Sequence, residues 1–407
     1  MKIRIRKIDR STNFSIAEKL VLFVLFLSFI DVKLYGMHFM VAAFALFCCM
    51  KGRVYAPSGV LPMLLMTVSL VLFWDGAFGD STSMVKCVVW PVAYLLGYGL
   101  IKQSAKEENI AEKRVTSLIK LIVFGLLAHY TLNMLVNYGD NALGRNTLDF
   151  WSGETRAATG QAALAIIPLG WAVAGIANAE SFKSSIGNIL VIALILFYNL
   201  TLSTRILLLL VPILFAVALI FNMKQQRTAK SKRKILITIL VISLAVVVIY
   251  AFNLWGVRDI IEDSVLSQRY EVTENMGITD DSRWERKLEY LKLMSTQLLG
   301  GGNINAQVGG YAHDVFLDTY DEAGIFSLIA VIAIVWDAIS KLRKFIKYAD
   351  VEHGLKGILL CVYIAILVEF MVEPIIAGIP WMLVLFCFLN GMVTAIVQRK
   401  REPELTQ

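Results

Sequence analysis

Long apolar runs separated by short charged segments set the pattern of this chain. Twelve runs are readable: Ile16–Ile30, Met37–Met50, Val60–Trp74, Met84–Ile101, Val115–Val136, Ala157–Ala177, Ile186–Leu202, Ile206–Met223, Ile235–Trp255, Val315–Ile339, Leu355–Val372 and Ile375–Val397. A helix needs roughly 20 apolar residues to cross a bilayer, within about 17–25. The first three runs are short by that measure. Only helices and closed barrels satisfy their backbone hydrogen bonds in lipid, and runs this continuous read as helices. The pattern therefore predicts an all-α polytopic membrane protein with about 12 transmembrane helices. Spans one to nine fill residues 1–255. A large, partly helical loop follows at 256–312, then spans ten to twelve at 313–398 and a tail at 399–407. Within the loop, Trp284, Leu288, Leu291 and Met294 recur at helical spacing. Gly300-Gly301-Gly302 and Gly309-Gly310 then break the pattern.

Composition agrees. Of 407 residues, 57% are hydrophobic and 17% charged, too apolar for a soluble protein of this size. The net charge of +7 does not point to nucleic acid, because the basic residues sit in short loops between apolar runs. With the N-terminus inside, most of the 39 lysines and arginines fall on the inner side of the membrane. That orientation puts both termini in the cytoplasm and residues 137–156 and 256–312 on the outer face. Lys2, Arg4, Arg6 and Lys7 before Val21–Ile30 resemble a signal peptide, but no small-x-small cleavage site follows, so the segment reads as an uncleaved first helix. The five cysteines lie in or beside apolar runs without metal-ligand spacing and read as small buried hydrophobes.

The stretch from Ser282 to Gly324 is the chemically equipped one. It is polar and glycine-rich in an otherwise apolar chain, and it carries Arg283, Arg286 and His313. Other basic residues collect on the expected outer face: Arg145, Arg156, Arg258 and Arg269 in loops, Arg205 in the tight turn Thr201–Arg205, and Lys86 just inside a span. Arginine binds phosphate through a rigid fork and keeps its charge, so several converging at a membrane surface suit a lipid-linked diphosphate. Headgroup contact or snorkelling accounts equally for any one of them. So short a turn between apolar helices gives Arg205 little other reason to be charged. His313 follows glycine-rich chain at a helix start, where an imidazole can take a proton from a hydroxyl; a purely structural histidine is the plainer alternative. Asp314, Asp318 and Glu322 share one helical face, with Asp321 beside them. They would orient His313, pair with the loop arginines, or hold a divalent cation, ion pairing with arginine being the plainest reading. Glu369 and Glu373, one turn apart at the outer end of the eleventh span, would join the same cluster. No phosphate loop, dinucleotide fingerprint or zinc motif is present, so no cofactor is expected.

Four pieces together resemble the O-antigen ligase and O-antigen polymerase superfamily of bacterial inner-membrane glycosyltransferases. They are Arg156-Ala157-Ala158-Thr159-Gly160 opening a helix; Leu202-Ser203-Thr204-Arg205 before apolar Ile206–Pro212; Ser282-Arg283 through Leu299-Gly300-Gly301-Gly302; and Ala312-His313-Asp314-x-x-Leu317 with Glu322-Ala323-Gly324-Ile325. The likeness covers about the last two-thirds of the chain. Asp314 stands where asparagine is commoner in the family, Gln297 where proline often precedes the turn, and the arginine-x10-glycine repeats common in the polymerases are not found. The resemblance implies a metal-independent, inverting transferase at the periplasmic face of the inner membrane. Its donor would be an undecaprenyl-diphosphate-linked oligosaccharide and its acceptor a glycolipid, with a chain-length regulator protein as a further partner. Arg156, Arg205 and Arg283 or Arg286 would hold the diphosphate, His313 would be the base, and Lys86, Asp314 and Glu322 would complete the substrate site.

Polymerase and ligase differ in acceptor. Between Gly256 and Ala312 acidic residues outnumber basic ones, a poor platform for the phosphorylated lipid A core that a ligase uses. That balance favours the polymerase, which passes the chain to another lipid-linked repeat unit. A transporter of lipid-linked glycans is the remaining alternative. It would keep ionisable groups near the bilayer midplane, whereas these spans are largely free of charge.

Overall fold

The computed structural model describes residues 14–51, 54–102, 108–138, 146–179, 181–225, 250–253, 256–264, 266–267, 282–349 and 351–399. The described chain is almost entirely helical. Eight helices are long and apolar enough to cross a membrane: α4 (Ser81–Lys102), α5 (Glu108–Val136), α6 (Ala158–Ala177), α7 (Phe182–Leu202), α8 (Arg205–Gln225), α12 (Val315–Tyr348), α13 (His353–Phe370) and α15 (Pro380–Arg399). Three shorter apolar helices precede them, α1 (Ile16–Phe29), α2 (Gly36–Lys51) and α3 (Leu61–Phe73). At 13 to 16 residues these fall below the usual spanning length. The predicted span Ile235–Trp255 lies almost wholly outside the described residues, as do Arg145 and Arg269. The small elements are β1 (Thr147–Leu148), paired antiparallel with β2 (Thr155–Arg156), and the short helices α9 (Val257–Glu262), α10 (Ser282–Leu293), α11 (Asn303–Val308) and α14 (Ile375–Gly378).

Two boundaries differ most from the hydropathy pattern, beside an α5 that starts seven residues before the apolar run. The run Ile375–Val397 is split: α14 is one turn, Ile379 takes φ −136°, and α15 starts at Pro380. The proline ring disfavours helical backbone at the residue before it. In the other direction, α12 continues past Ile339 to Tyr348, carrying Lys341, Arg343, Lys344 and Lys347 beyond the apolar stretch.

α6 and α15 are the most enclosed of the long helices. Small residues let their partners approach closely. On α15 a Cβ at Gly391 would lie 2.1 Å from the Tyr94 carbonyl oxygen of α4. The same helix pair is tied by Tyr94 Oη to Thr394 Oγ1 at 3.2 Å and Tyr98 Oη to Gln398 Oε1 at 2.9 Å.

At the start of α1, Ser15 and Glu18 form a reciprocal cap. The same Glu18 carboxylate receives both Arg114 guanidinium nitrogens, at 3.0 and 3.2 Å, and Lys51 Nζ at 3.4 Å. One buried carboxylate thus joins α1, α2 and α5. Glu18→Gln leaves Arg114 buried without its counter-ion, which costs about 3–5 kcal/mol. Thermal unfolding in detergent is expected to show a lower midpoint; an unchanged midpoint would mean the cluster does not hold these helices together.

Candidate active site

α12 is broken about two turns below its start. Ala323 (φ −144°, ψ 21°) and Gly324 (φ 75°, ψ −163°) leave the helical region. The break is filled by the glycine turn before α11. Gly301 N donates to Glu322 O at 3.2 Å, Gly302 N to Asp321 O at 2.7 Å, and Ile325 N to Leu298 O at 2.9 Å. Those bonds satisfy groups the helix has given up. A Cβ on Gly324 would lie 2.5 Å from Leu298 O, so both its φ and its surroundings require glycine. The Leu299–Gly302 and Glu322–Ile325 pieces of the sequence are therefore two halves of one contact.

The carboxylates around the break bind backbone. Asp321 accepts from Ile304 N (2.9 Å) and Asn305 N (3.2 Å), capping α11. Asp318 accepts from Ala312 N (3.0 Å) and Asp314 N (3.4 Å). Asp314 is the N-cap of α12, accepting from Phe316 N and Leu317 N, and its other oxygen meets Lys287 Nζ at 3.4 Å. None of these contacts is the arginine pairing expected for this acidic face. Short carboxylates at a helix start are better placed to accept backbone N–H groups than to reach a distant guanidinium. Their effect is to fix the chain on both sides of His313, which takes φ 53°, a left-handed conformation uncommon outside glycine.

His313 faces Glu373, in the link between α13 and α14, with Nδ1 to Oε2 at 3.7 Å. Arg283 of α10 lies on the other oxygen of Glu373 at 3.8 Å and donates to Val372 O at 3.2 Å. Lys287 donates to Met371 O at 3.0 Å. Glu369, one turn deeper, is fully buried, and neither of its oxygens has a hydrogen-bond partner. Imidazole, guanidinium, ammonium and two carboxylates thus meet at one end of the bundle. Glu373 is the member of this group whose role the sequence left vague. Nothing in the spacing ties it to His313, because the two lie on different elements of the fold.

Arg205 opens α8 at the same end. Cys361 Sγ of α13 meets Leu214 O of α8 at 4.0 Å. Counting outward from that contact along both helices, at equal rise per residue, puts Arg205 level with Phe370. α6 follows the same register. A Cβ on Gly170 would lie 3.0 Å from the Val362 Cα, and counting outward brings the start of α6 level with Glu373. Arg156, just before α6, packs with Asp149 at 3.8 Å, and His129 Nε2 meets the same Asp149 oxygen at 3.1 Å with both side chains fully enclosed. Burial alone would raise Asp149, but the His129 hydrogen bond and the charges of His129 and Arg156 hold its carboxyl down at about 2. Asn133 of α5 and Asn137 just after it secure the loop by binding the backbone of Phe150 and Leu148. The His129–Asp149 pair was not legible from the sequence, because the two residues lie on different elements of the fold.

Lys86 is removed from His313: its ammonium stacks 4.2 Å over Trp74 and attracts Glu322. Arg286 stacks against the chain at Gly310, where a Cβ would come within 3.1 Å of its guanidinium. α10 presents its apolar stripe away from the protein, with Trp284 72%, Leu288 57% and Leu291 56% exposed. Its opposite side buries Tyr290, whose hydroxyl donates to Gly310 O at 3.2 Å. Among the described residues no group of three or more His, Cys, Asp and Glu is placed to hold a metal ion. No family model and no curated protein matches the chain.

Proposed function

We propose that this protein is an inverting glycosyltransferase of the outer face of the bacterial inner membrane, with the twelve-span topology described above, and that it polymerises undecaprenyl-diphosphate-linked repeat units. The observation that carries the reading is the meeting of His313, Arg283 and Glu373 at one end of an apolar bundle, with Arg205 and the start of α6 at the same depth. The acceptor hydroxyl gives its proton to His313 Nε2 as its oxygen attacks the anomeric carbon. The bond from that carbon to the diphosphate breaks, and the electron pair leaves with the diphosphate. Charge growing on the diphosphate is met by fixed guanidinium groups in surroundings of low dielectric, where they count for most. The outward apolar stripe of α10 suits a helix lying in the membrane surface, which would keep Arg283 at headgroup depth.

The test is a glycan ladder from a deletion strain with and without the restored gene. A multi-rung ladder only when the gene is present supports the polymerase. If deletion removes all core-linked glycan while long lipid-linked chains accumulate, the protein is a ligase and the polymerase assignment falls. If deletion leaves both unchanged, glycan transfer is excluded.

A further inference from the structure

The geometry points to Glu373 as the positioning residue of His313: it holds the ring so that Nδ1 faces the protein and Nε2 faces the acceptor, and it balances the imidazolium formed when the proton arrives. The inference rests on the proposed transferase reading for its chemistry but on contacts alone for its geometry. His313 Nδ1 and Glu373 Oε2 lie 3.7 Å apart as an ion pair, and neither makes a hydrogen bond elsewhere or to the other. The carboxylate is nearly enclosed, at 3% exposure, while the imidazole keeps 20% toward the outside. The inner nitrogen is therefore the one the carboxylate addresses, and the open edge is left for a ligand. The backbone of His313 is fixed by Asp314 and Asp318, so the remaining freedom is rotation of the ring, which is what a carboxylate at Nδ1 restricts. Catalytic contacts of this kind are often long before substrate binds and shorten in the complex.

Glu373 also sits in an unfavourable place for a carboxylate. It follows the C-terminal end of α13, the negative pole of the helix, and Glu369 one turn below adds a second acid. Arg283 offsets part of that at 3.8 Å. A positive charge appearing on His313 completes the balance, so the site is arranged to stabilise the protonated ring. The titratable and charged groups around His313 are Glu373 and Glu369 from α13 and its link to α14, Arg283 and Lys287 from α10, and Asp314 and Asp318 from the start of α12.

The experiment uses the full-length protein in detergent or liposomes, with Glu373→Gln, Glu373→Asp and His313→Ala. The first readout is independent of activity. Nitrogen-15 spectra of histidine-labelled protein report which ring nitrogen carries the proton, and with four histidines the His313 signal is assigned by difference from His313→Ala. Wild type is expected to show one tautomer, with the proton on Nδ1. Glu373→Gln is expected to show a mixture and Glu373→Asp to restore the single form. An unchanged tautomer in Glu373→Gln overturns the inference whatever the protein's reaction is. The second readout is transfer of a lipid-diphosphate-linked repeat unit. Glu373→Gln should lower kcat about 10–100-fold with KM little changed, shift the acid limb of the rate profile to lower pH, and have no further effect in His313→Ala. Full additivity of the two substitutions would also overturn it. If the tautomer responds but wild type transfers no glycan, the geometry stands and the transferase reading fails.

Discussion

His313→Ala is expected to lower the rate of glycan transfer by about 10²–10⁴-fold, with KM for the lipid-linked donor little changed. A positioned base acts on the proton in flight and contributes little to holding the donor, so the loss belongs in kcat. The measurement is single-turnover transfer by purified protein. A rate within threefold of wild type would remove His313 from the reaction. The left-handed backbone at this position supplies a control. His313 holds φ 53° only because Asp314 and Asp318 fix its neighbours, and strain of this kind costs of order 1–3 kcal/mol. His313→Gly should therefore be at least as stable as wild type and equally inactive. Loss of activity with equal or higher thermal stability separates a catalytic role from a structural one.

The sequence announced this site unevenly, for physical reasons. The apolar runs foretold the helices because lipid leaves the backbone few alternatives, and the ends of α4, α6, α7 and α8 follow them within four residues. The break in α12 was hidden inside one continuous apolar stretch; Gly324 showed only that a break was allowed there. What makes it real is the turn at Leu298–Gly302, whose amides take over the freed carbonyls of Asp321 and Glu322. The acidic face Asp314–Asp318–Glu322 was visible as a pattern, yet its chemistry was not. Which partner a carboxylate takes depends on what the folded chain brings within 3 Å, and here that was its own backbone. Glu373 was legible as a candidate member of the cluster, but not its contact with His313. It lies far from His313 along the chain and reaches it only through the packing of α13 and α12. Arg283, in contrast, stood out as a charge before an amphipathic helix, and the fold puts it on the same carboxylate as the histidine.

Arg205→Ala should reduce transfer by about 10²–10³-fold, the usual effect of removing one fixed donor from a developing oxyanion. Arg205 is the first residue of α8, at the positive pole of the helix, where a cation is unfavourable by roughly 0.3–1 kcal/mol. Ser203 takes the left-handed region at φ 52°, and Asn199 closes the turn by accepting Thr204 N at 3.0 Å and donating to Thr204 O at 3.1 Å. Arg205→Lys keeps the charge but loses the rigid fork, and is expected to recover only part of the activity. Thermal unfolding and transfer rates measured on the same preparations decide the matter. A large fall in unfolding midpoint for Arg205→Ala would mean that the residue holds the turn and that its loss of activity reports folding. Full activity at an unchanged midpoint would remove the diphosphate from this end of α8.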